Sequence, residues 1–402
     1  MHLHRIVLLG DKDHGKSTFI GSMLMLTKSV SSDRINEARR ISKELGRKFE
    51  PGFILDSFSE EREKAMTIDT TRAQLSYKKV GFELIDVPGH EELITNMLTG
   101  ASSASIAVLV VSAKKGEGIS EQTKRHLLVA MMLGISNVVI AINKMDAVGY
   151  NSNAFDSIKS SLSEFINNAQ KSLGAVRTDF VPISAYNGDN LIRNSKNMRW
   201  YKGKPLAEIL SRDAMEKCKD EKGGILRVIV QGAMPGGGFA CKVVAGTLSK
   251  GEKVISVPGG TECIVNKIVS AGKVMVHASA GSSPVLSLSS TKGIKRGSVI
   301  CRAGDKPAVA KSIDALVFFS EIPKNASMRL NGIETRCNIT ISKELDINDG
   351  NLKKGNAKPL GIFSAHINCS KPIVVEKYNK VNELGRFTIY EGGKFAGLGI
   401  VT

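Results

Sequence analysis

Arg5-Ile6-Val7-Leu8-Leu9-Gly10-Asp11-Lys12-Asp13-His14-Gly15-Lys16-Ser17-Thr18-Phe19-Ile20 is the stretch on which the fold turns. Residues 5–9 are an apolar run of strand length, and residues 17–26 continue at helical spacing. Between them Gly10 to Ser17 fits G-x-x-x-x-G-K-[ST], so the motif follows a strand and opens a helix. In that setting the glycines let backbone N–H groups converge on phosphate oxygens, Lys16 neutralises the β and γ phosphates, and Ser17 offers a hydroxyl to Mg²⁺. Asp13, His14, Gly15 and Thr18 belong to the same cradle.

Outward from this point, apolar runs at 81–85, 106–112, 137–142 and 178–183 read as further strands, with helices at 120–133 and 155–173 between them. The alternation predicts a doubly wound α/β domain with a mostly parallel sheet. From about residue 226 the pattern becomes short strands broken by turns such as Met234-Pro235-Gly236-Gly237-Gly238 and Ser249-Lys250-Gly251-Glu252, which predicts two all-β barrels. The expected division is residues 1–203, 204–306 and 307–402, with 192–224 as connector, polar apart from Trp200-Tyr201 and a short helix at 206–210.

Three more motifs follow strands. Asp86-Val87-Pro88-Gly89-His90 places a carboxylate at a strand end, where it can hold magnesium through water, and lets Gly89 donate its N–H to a γ-phosphate. Asn143-Lys144-Met145-Asp146 supplies an amide and a carboxylate for a base edge. A carboxylate accepts from the N1–H and exocyclic amine of guanine, whereas adenine presents an acceptor at that nitrogen, so GTP and GDP are expected over adenine nucleotides. Ser184 and Ala185 are expected to complete the base pocket through a backbone contact at the guanine O6.

The 402 residues exceed one core of about 150 residues. No run approaches the roughly 18 apolar residues of a membrane span, and no cleavable leader opens the chain, so no membrane partner and a cytoplasmic location are expected. The six cysteines lie 22 or more residues apart with no C-x-x-C pair, which points to reduced structural thiols. Net charge is 56 − 39 = +17. Residues 1–200 carry 26 Lys+Arg and 22 Asp+Glu, a net of +4, leaving +13 for residues 201–402. Such an excess suits a polyanionic partner.

Taken together, the P-loop, Asp86–His90, Asn96-Met97-Leu98-Thr99-Gly100-Ala101-Ser102, Asn143–Asp146, the segment from Ser184 to Asn190 and Trp200-Tyr201-Lys202-Gly203 resemble the translation-factor GTPases, in the branch containing elongation factor 1-alpha. The resemblance implies a P-loop GTPase domain followed by two β-barrels, GTP hydrolysis with Mg²⁺, and aminoacyl-tRNA and the ribosome as partners, with a guanine-nucleotide exchange factor in addition and no DNA. It implies that Leu55-Asp56 through Asp69 is a first switch in which Thr67 ligates magnesium, and that His90 positions the attacking water beside Lys16. Lys12 stands where the family usually carries a small apolar residue, and Ala65-Met66 replace its usual Gly-Ile. The GTPase subunit of heterodimeric ATP sulfurylase is similar over the first half, and makes sulfate activation the alternative function.

Overall fold

The computed structural model describes residues 3–44, 46, 48–55, 71–86, 106–217, 224–235, 237–354 and 358–402. The expected switch from Asp56 to Asp69 with Thr67, the residues Gly89 and His90, and the segment 96–102 lie outside the described residues. Two compact units emerge, Met1–Lys217 with Asp346–Asn351, and Cys218–Leu345 with Leu352–Thr402.

In the first unit, strands β1 (Leu3–Leu9), β2 (Thr71–Tyr77), β3 (Val80–Asp86), β4 (Ile106–Ser112), β5 (Asn137–Asn143) and β6 (Arg177–Pro182) form one sheet in the order β2-β3-β1-β4-β5-β6. Only β2 runs antiparallel, to β3. Residues of β4 are buried on both faces, which is why that strand reads as an unbroken apolar run rather than an alternating one. Helices α1 (Lys16–Leu26), α2 (Ser32–Glu44), α3 (Glu121–Met132), α4 (Ser152–Leu173) and α5 (Leu206–Lys217) accompany the sheet. Ser120 caps α3 by accepting from the Thr123 N–H (3.0 Å), and Asn151 caps α4 by accepting from that of Asn153 (2.8 Å), each satisfying an otherwise orphaned donor. No helix among the described residues is long and apolar enough to cross a membrane.

The connector reading needs correcting. Leu206, Ala207, Ile209, Leu210 and Ala214 pack into the same core as Ile6, Leu8, Phe19 and Val108, so α5 is a structural helix of the first unit. Its polar sequence misleads because Asp213 is buried beside Arg212, whose guanidinium also reaches Asp179. Two elements escape the sequence reading altogether. In α2 only Ala38 and Ser42 are buried, a stripe too thin to stand out. In β2 the buried side chains are Ala73 and Leu75, a short alternation on an edge strand.

The second unit holds two closed barrels. The first is built from β7 (Arg227–Ala233), β8 (Phe239–Ala245), β10 (Lys253–Val257), β11 (Thr261–Ser270), β14 (Val285–Leu288) and β15 (Val299–Cys301), and the pairing of β10 with β11 closes it. Short strands β9 (Thr247–Ser249), β12 (Lys273–Met275) and β13 (His277–Ser279) decorate it. The second barrel uses β16 (Ala308–Phe319), β17 (Ala326–Leu330), β18 (Ile333–Leu345), β20 (Gly361–Val375), β21 (Arg386–Glu391) and β22 (Lys394–Val401), closed by β17 against β18, with β19 (Leu352–Lys353) added to β18. Closure removes the free edges that an open sheet would expose.

A seam joins the barrels. Ile229, Ile255, Val257 and Val299 of the first meet Val374, Val381 and Leu384 of the second. At its centre the Arg227 side chain is wholly buried, donating from Nε to Glu376 Oε1 (3.0 Å) and from Nη1 to the Asp305 carbonyl (2.9 Å). A buried guanidinium is tolerable only with such partners. Lys242 adds a pair with Glu383 at 2.9 Å.

Candidate functional site

Every described motif of the first unit lies at the carboxyl end of a parallel strand. There β1 leaves the sheet between β3 and β4, the crevice where open α/β sheets bind ligands. A cavity of about 1060 Å³ opens at this point, lined by Gly10, Asp13, Gly15, Lys16, Ser17 and Thr18 from the P-loop, Asp86 from β3, and Asn143, Lys144 and Asp146 after β5.

The P-loop backbone explains its glycines. Gly10 adopts φ 138° and Gly15 φ 92°. A Cβ on Gly10 would fall 2.4 Å from the Val110 carbonyl oxygen, and one on Gly15 would fall 2.5 Å from Asn143 Nδ2. Neither position accepts a side chain, so the loop stays wrapped close to the sheet with the start of α1 facing the cavity. The Lys16 ammonium bridges the carbonyls of Gly10 (3.0 Å) and Asp11 (2.9 Å). Burial pushes its pKa down, while the carboxylates of Asp86, Asp11 and Asp13 pull it up.

His14 faces away from the cavity. It is buried, with Nδ1 3.3 Å from the Val110 carbonyl, and burial lowers its pKa, so the ring backs the loop from the side of the sheet. Asn143 is 2% exposed and stitches two segments together. Its Nδ2 donates to the His14 carbonyl (2.8 Å), and its Oδ1 accepts from the Ala185 N–H (2.9 Å). Asn143 thus ties the P-loop to the segment Ser184-Ala185, from which a backbone contact to the guanine O6 is expected. Ala185 is further tied through its carbonyl, which accepts from Ser22 Oγ of α1 (2.5 Å). Ser184 is buried and accepts from the Asn187 N–H (3.3 Å); Tyr186, 47% exposed, is the residue of this segment that lines the cavity.

Lys144 sits in the left-handed region at φ 61°. Its ammonium is held by Glu117 at 2.7 Å. Lys144, Lys114 and Ser112, in that order, hold the Glu117 carboxyl at about 2. With the ammonium so engaged, the stem of Lys144 is what the cavity meets. Asp146 follows in the short turn Met145–Val148 and also lines the cavity.

Sequence reasoning missed Gln122 and His126, which reach the cavity from α3. The Gly10 N–H points to His126 Nδ1 at 3.4 Å, which makes that nitrogen the acceptor. The only available signal was a histidine on the buried face of a helix, which is as well explained by packing.

Nucleotide and metal fit this donor set. Converging amides, an ammonium and a cavity of nucleotide size suit a polyphosphate, and the Ser17 hydroxyl with the Asp86 carboxylate are the hard oxygens that magnesium takes.

Residues 1–233 match the family of the elongation factor Tu GTP binding domain, and residues 322–402 match the GTP-eEF1A C-terminal domain-like family. Elongation factor 1-alpha of Aeropyrum pernix is 35% identical, over 99% of this chain and 95% of that protein. The chain belongs to the elongation factor 1-alpha family. Elongation factor 1-alpha of Saccharolobus solfataricus is 32% identical over 100% of this chain and 96% of that protein. A crystal structure of sup35 complexed with GDP is 22% identical, covering 100% of this chain and 94% of that one, with a TM-score of 0.44. As a member of this family the chain is a translation-factor GTPase that binds GTP and GDP. These relatives lend no support to the sulfate-activation alternative.

Proposed function

We propose that the GTP form of this protein delivers aminoacyl-tRNA to the ribosome in the cytoplasm and is released after hydrolysis, with a guanine-nucleotide exchange factor resetting it. The observation that carries this reading is that similarity to elongation factor 1-alpha spans both barrels as well as the GTPase domain, over 99% of the chain. A groove of about 780 Å³ on the second barrel, lined by Lys324, Arg336 and Lys371, supports it by offering cations to a phosphate backbone.

In the nucleotide cavity, Lys16 and the P-loop amides would hold the phosphates, while Ser17 and Asp86, with Thr67 from outside the described residues, would hold magnesium, which would supply charge neutralisation at the transferred phosphoryl group. Asp146 reads the guanine edge, and Asn143 fixes the geometry by tying His14 to Ala185. His90, which follows Asp86-Val87-Pro88-Gly89 in the sequence, positions the attacking water. Replacing Asp146 by Asn should weaken GTP and favour xanthosine nucleotides.

The deciding experiment measures spontaneous hydrolysis of the aminoacyl ester of charged tRNA with the purified protein. Protection with GTP and its loss with GDP is the expected result. Equal hydrolysis in both states would remove tRNA delivery as the function.

A further inference from the structure

The first unit carries a second cavity of about 620 Å³, apart from the nucleotide cavity, walled by Phe155, Trp200 and Tyr201 and edged by Lys159, Lys202 and Arg212. The stretch that supplies two of these rings, residues 191–207, contains Arg193, Lys196, Arg199, Lys202 and Lys204 and no carboxylate. All five cations are exposed. Lys204 pairs with Glu208 on α5 at 3.0 Å; the other four make no ion pair among the described residues.

This stretch is held rigidly. Ser195 donates its N–H to Asn190 Oδ1 (2.7 Å) and its hydroxyl to Asp189 (2.6 Å). Asn194 Nδ2 donates to the Gly203 carbonyl (3.1 Å), closing the loop on itself. Trp200 Nε1 donates to the Tyr150 carbonyl (2.9 Å), which fixes the indole plane. The Phe155 and Trp200 centroids lie 5.4 Å apart, and the Trp200 and Tyr201 rings meet nearly edge-on at 6.4 Å. Two carboxylates share the cavity. Arg212 neutralises Asp179 at 2.5 Å, and Asp156 on α4 is the remaining anion, able to accept from a base amino group.

We propose that the cations between Arg193 and Lys204, with the aromatic cavity beside them, form a binding surface for single-stranded RNA. Phosphates lie along the cations and a base stacks in the cavity. Cations without interspersed carboxylates suit a chain of phosphates, and ring walls suit a flat base of any identity. An acidic peptide would satisfy the cations and leave the aromatic cavity unused. The surface uses elements that do not line the nucleotide cavity, so its affinity is independent of whether GTP or GDP is bound. It does not rest on the tRNA-delivery reading, whose failure would appear separately as absent ester protection.

Trp200 is the sole tryptophan of the chain, so its emission reports this cavity alone. The test titrates the full chain, loaded with GDP or with GTP, with a ten-nucleotide single-stranded RNA of mixed sequence. Unlabelled RNA is used for emission and fluorescein-labelled RNA for anisotropy. Saturable binding with quenched Trp200 emission, equal in the two nucleotide states, is expected. The triple variant Arg193→Glu, Lys196→Glu, Arg199→Glu should bind at least about tenfold more weakly at low salt. Its log–log salt slope should be smaller by about 2, for three lost phosphate contacts at about 0.7 each. An unchanged GDP affinity in that variant establishes that it is folded. The proposal is overturned if no RNA binds, if RNA binds without quenching Trp200, if the triple variant binds as the parent does, or if an oligoglutamate peptide binds where RNA does not.

Discussion

Replacing Asn143 by Ala tests whether the side chain between the P-loop and the Ala185 loop holds the nucleotide cavity in shape. The truncation removes two hydrogen bonds, at 2.8 and 2.9 Å, and leaves the His14 carbonyl and the Ala185 N–H without their partner in a site where Asn143 is only 2% exposed. Stranding a buried donor or acceptor costs about 1–3 kcal/mol each, so the pair amounts to roughly 2–6 kcal/mol. For a unit of this size, at about 2–4 °C per kcal/mol, the unfolding midpoint should fall by roughly 4–24 °C. Part of that loss should reappear in binding, because the nucleotide must then order both loops itself. Each 1.4 kcal/mol so transferred weakens GDP about tenfold, and at least one such factor is expected. The assay is thermal unfolding by circular dichroism with and without saturating GDP, beside a direct GDP titration. Asn187→Ala is the control, since its amide is exposed and reaches only Tyr150 Oη at 3.1 Å. A midpoint shift no larger than the control's would refute the stitching role. Lost stability with unchanged GDP affinity would refute its coupling to the nucleotide.

Three further outcomes follow from other parts of the molecule. Arg227→Met should destabilise the barrel unit by about 3–5 kcal/mol in urea unfolding, because it leaves the buried Glu376 carboxylate with only the more distant Lys380 ammonium at 3.4 Å; a loss below about 1 kcal/mol would contradict the seam as described. Glu117 is held at about 2 against an ordinary 4.5, chiefly by Lys144, and a lowered folded-state pKa stabilises above the unfolded value. Its contribution is therefore complete above about pH 4.5 and fades as pH falls toward 2, so Glu117→Gln should narrow the stability difference between pH 6 and pH 3, and an unaltered difference would count against the pairing. Burial raises the Cys241 thiol to about 12, so Cys241 should resist iodoacetamide in the native protein and react in denaturant, as peptide mass mapping can show; rapid native labelling would be inconsistent with its place in the core.

What could be read in advance was local. Residues 5–20 carry their strand, phosphate loop and helix within one short window, and Asn143 to Asp146 follow a strand whose burial is written in its composition. The role of Asn143 was not local, since its partners lie 129 and 42 residues away at His14 and Ala185. The sequence offers an amide in the right neighbourhood and no indication of what it will face. Helix α5 failed for the opposite reason: Arg212 and Asp213 look like solvent-exposed charges until Asp179 is folded against them. Helix α2 and strand β2 contribute too few buried side chains for a periodicity to register. His126 is the costliest omission, because a helix-face histidine carries no mark that its Nδ1 will meet the first glycine of the phosphate loop.

Arg227 also bears on how such a chain can be cut and recombined. The two barrels have separate, closed hydrogen-bond circuits and look like modules that could be exchanged or expressed singly. Yet the guanidinium belongs to the first strand of one, and Glu376 directly follows the longest strand of the other. Severing the chain between them would part the guanidinium from Glu376, leaving the one with Asp305 and the other with Lys380, each on a freshly wetted apolar face. Swapping either barrel for a foreign one would require the newcomer to bring the matching charge to the same point. The pair is thus a single heritable part, and productive recombination of this chain should fall outside it.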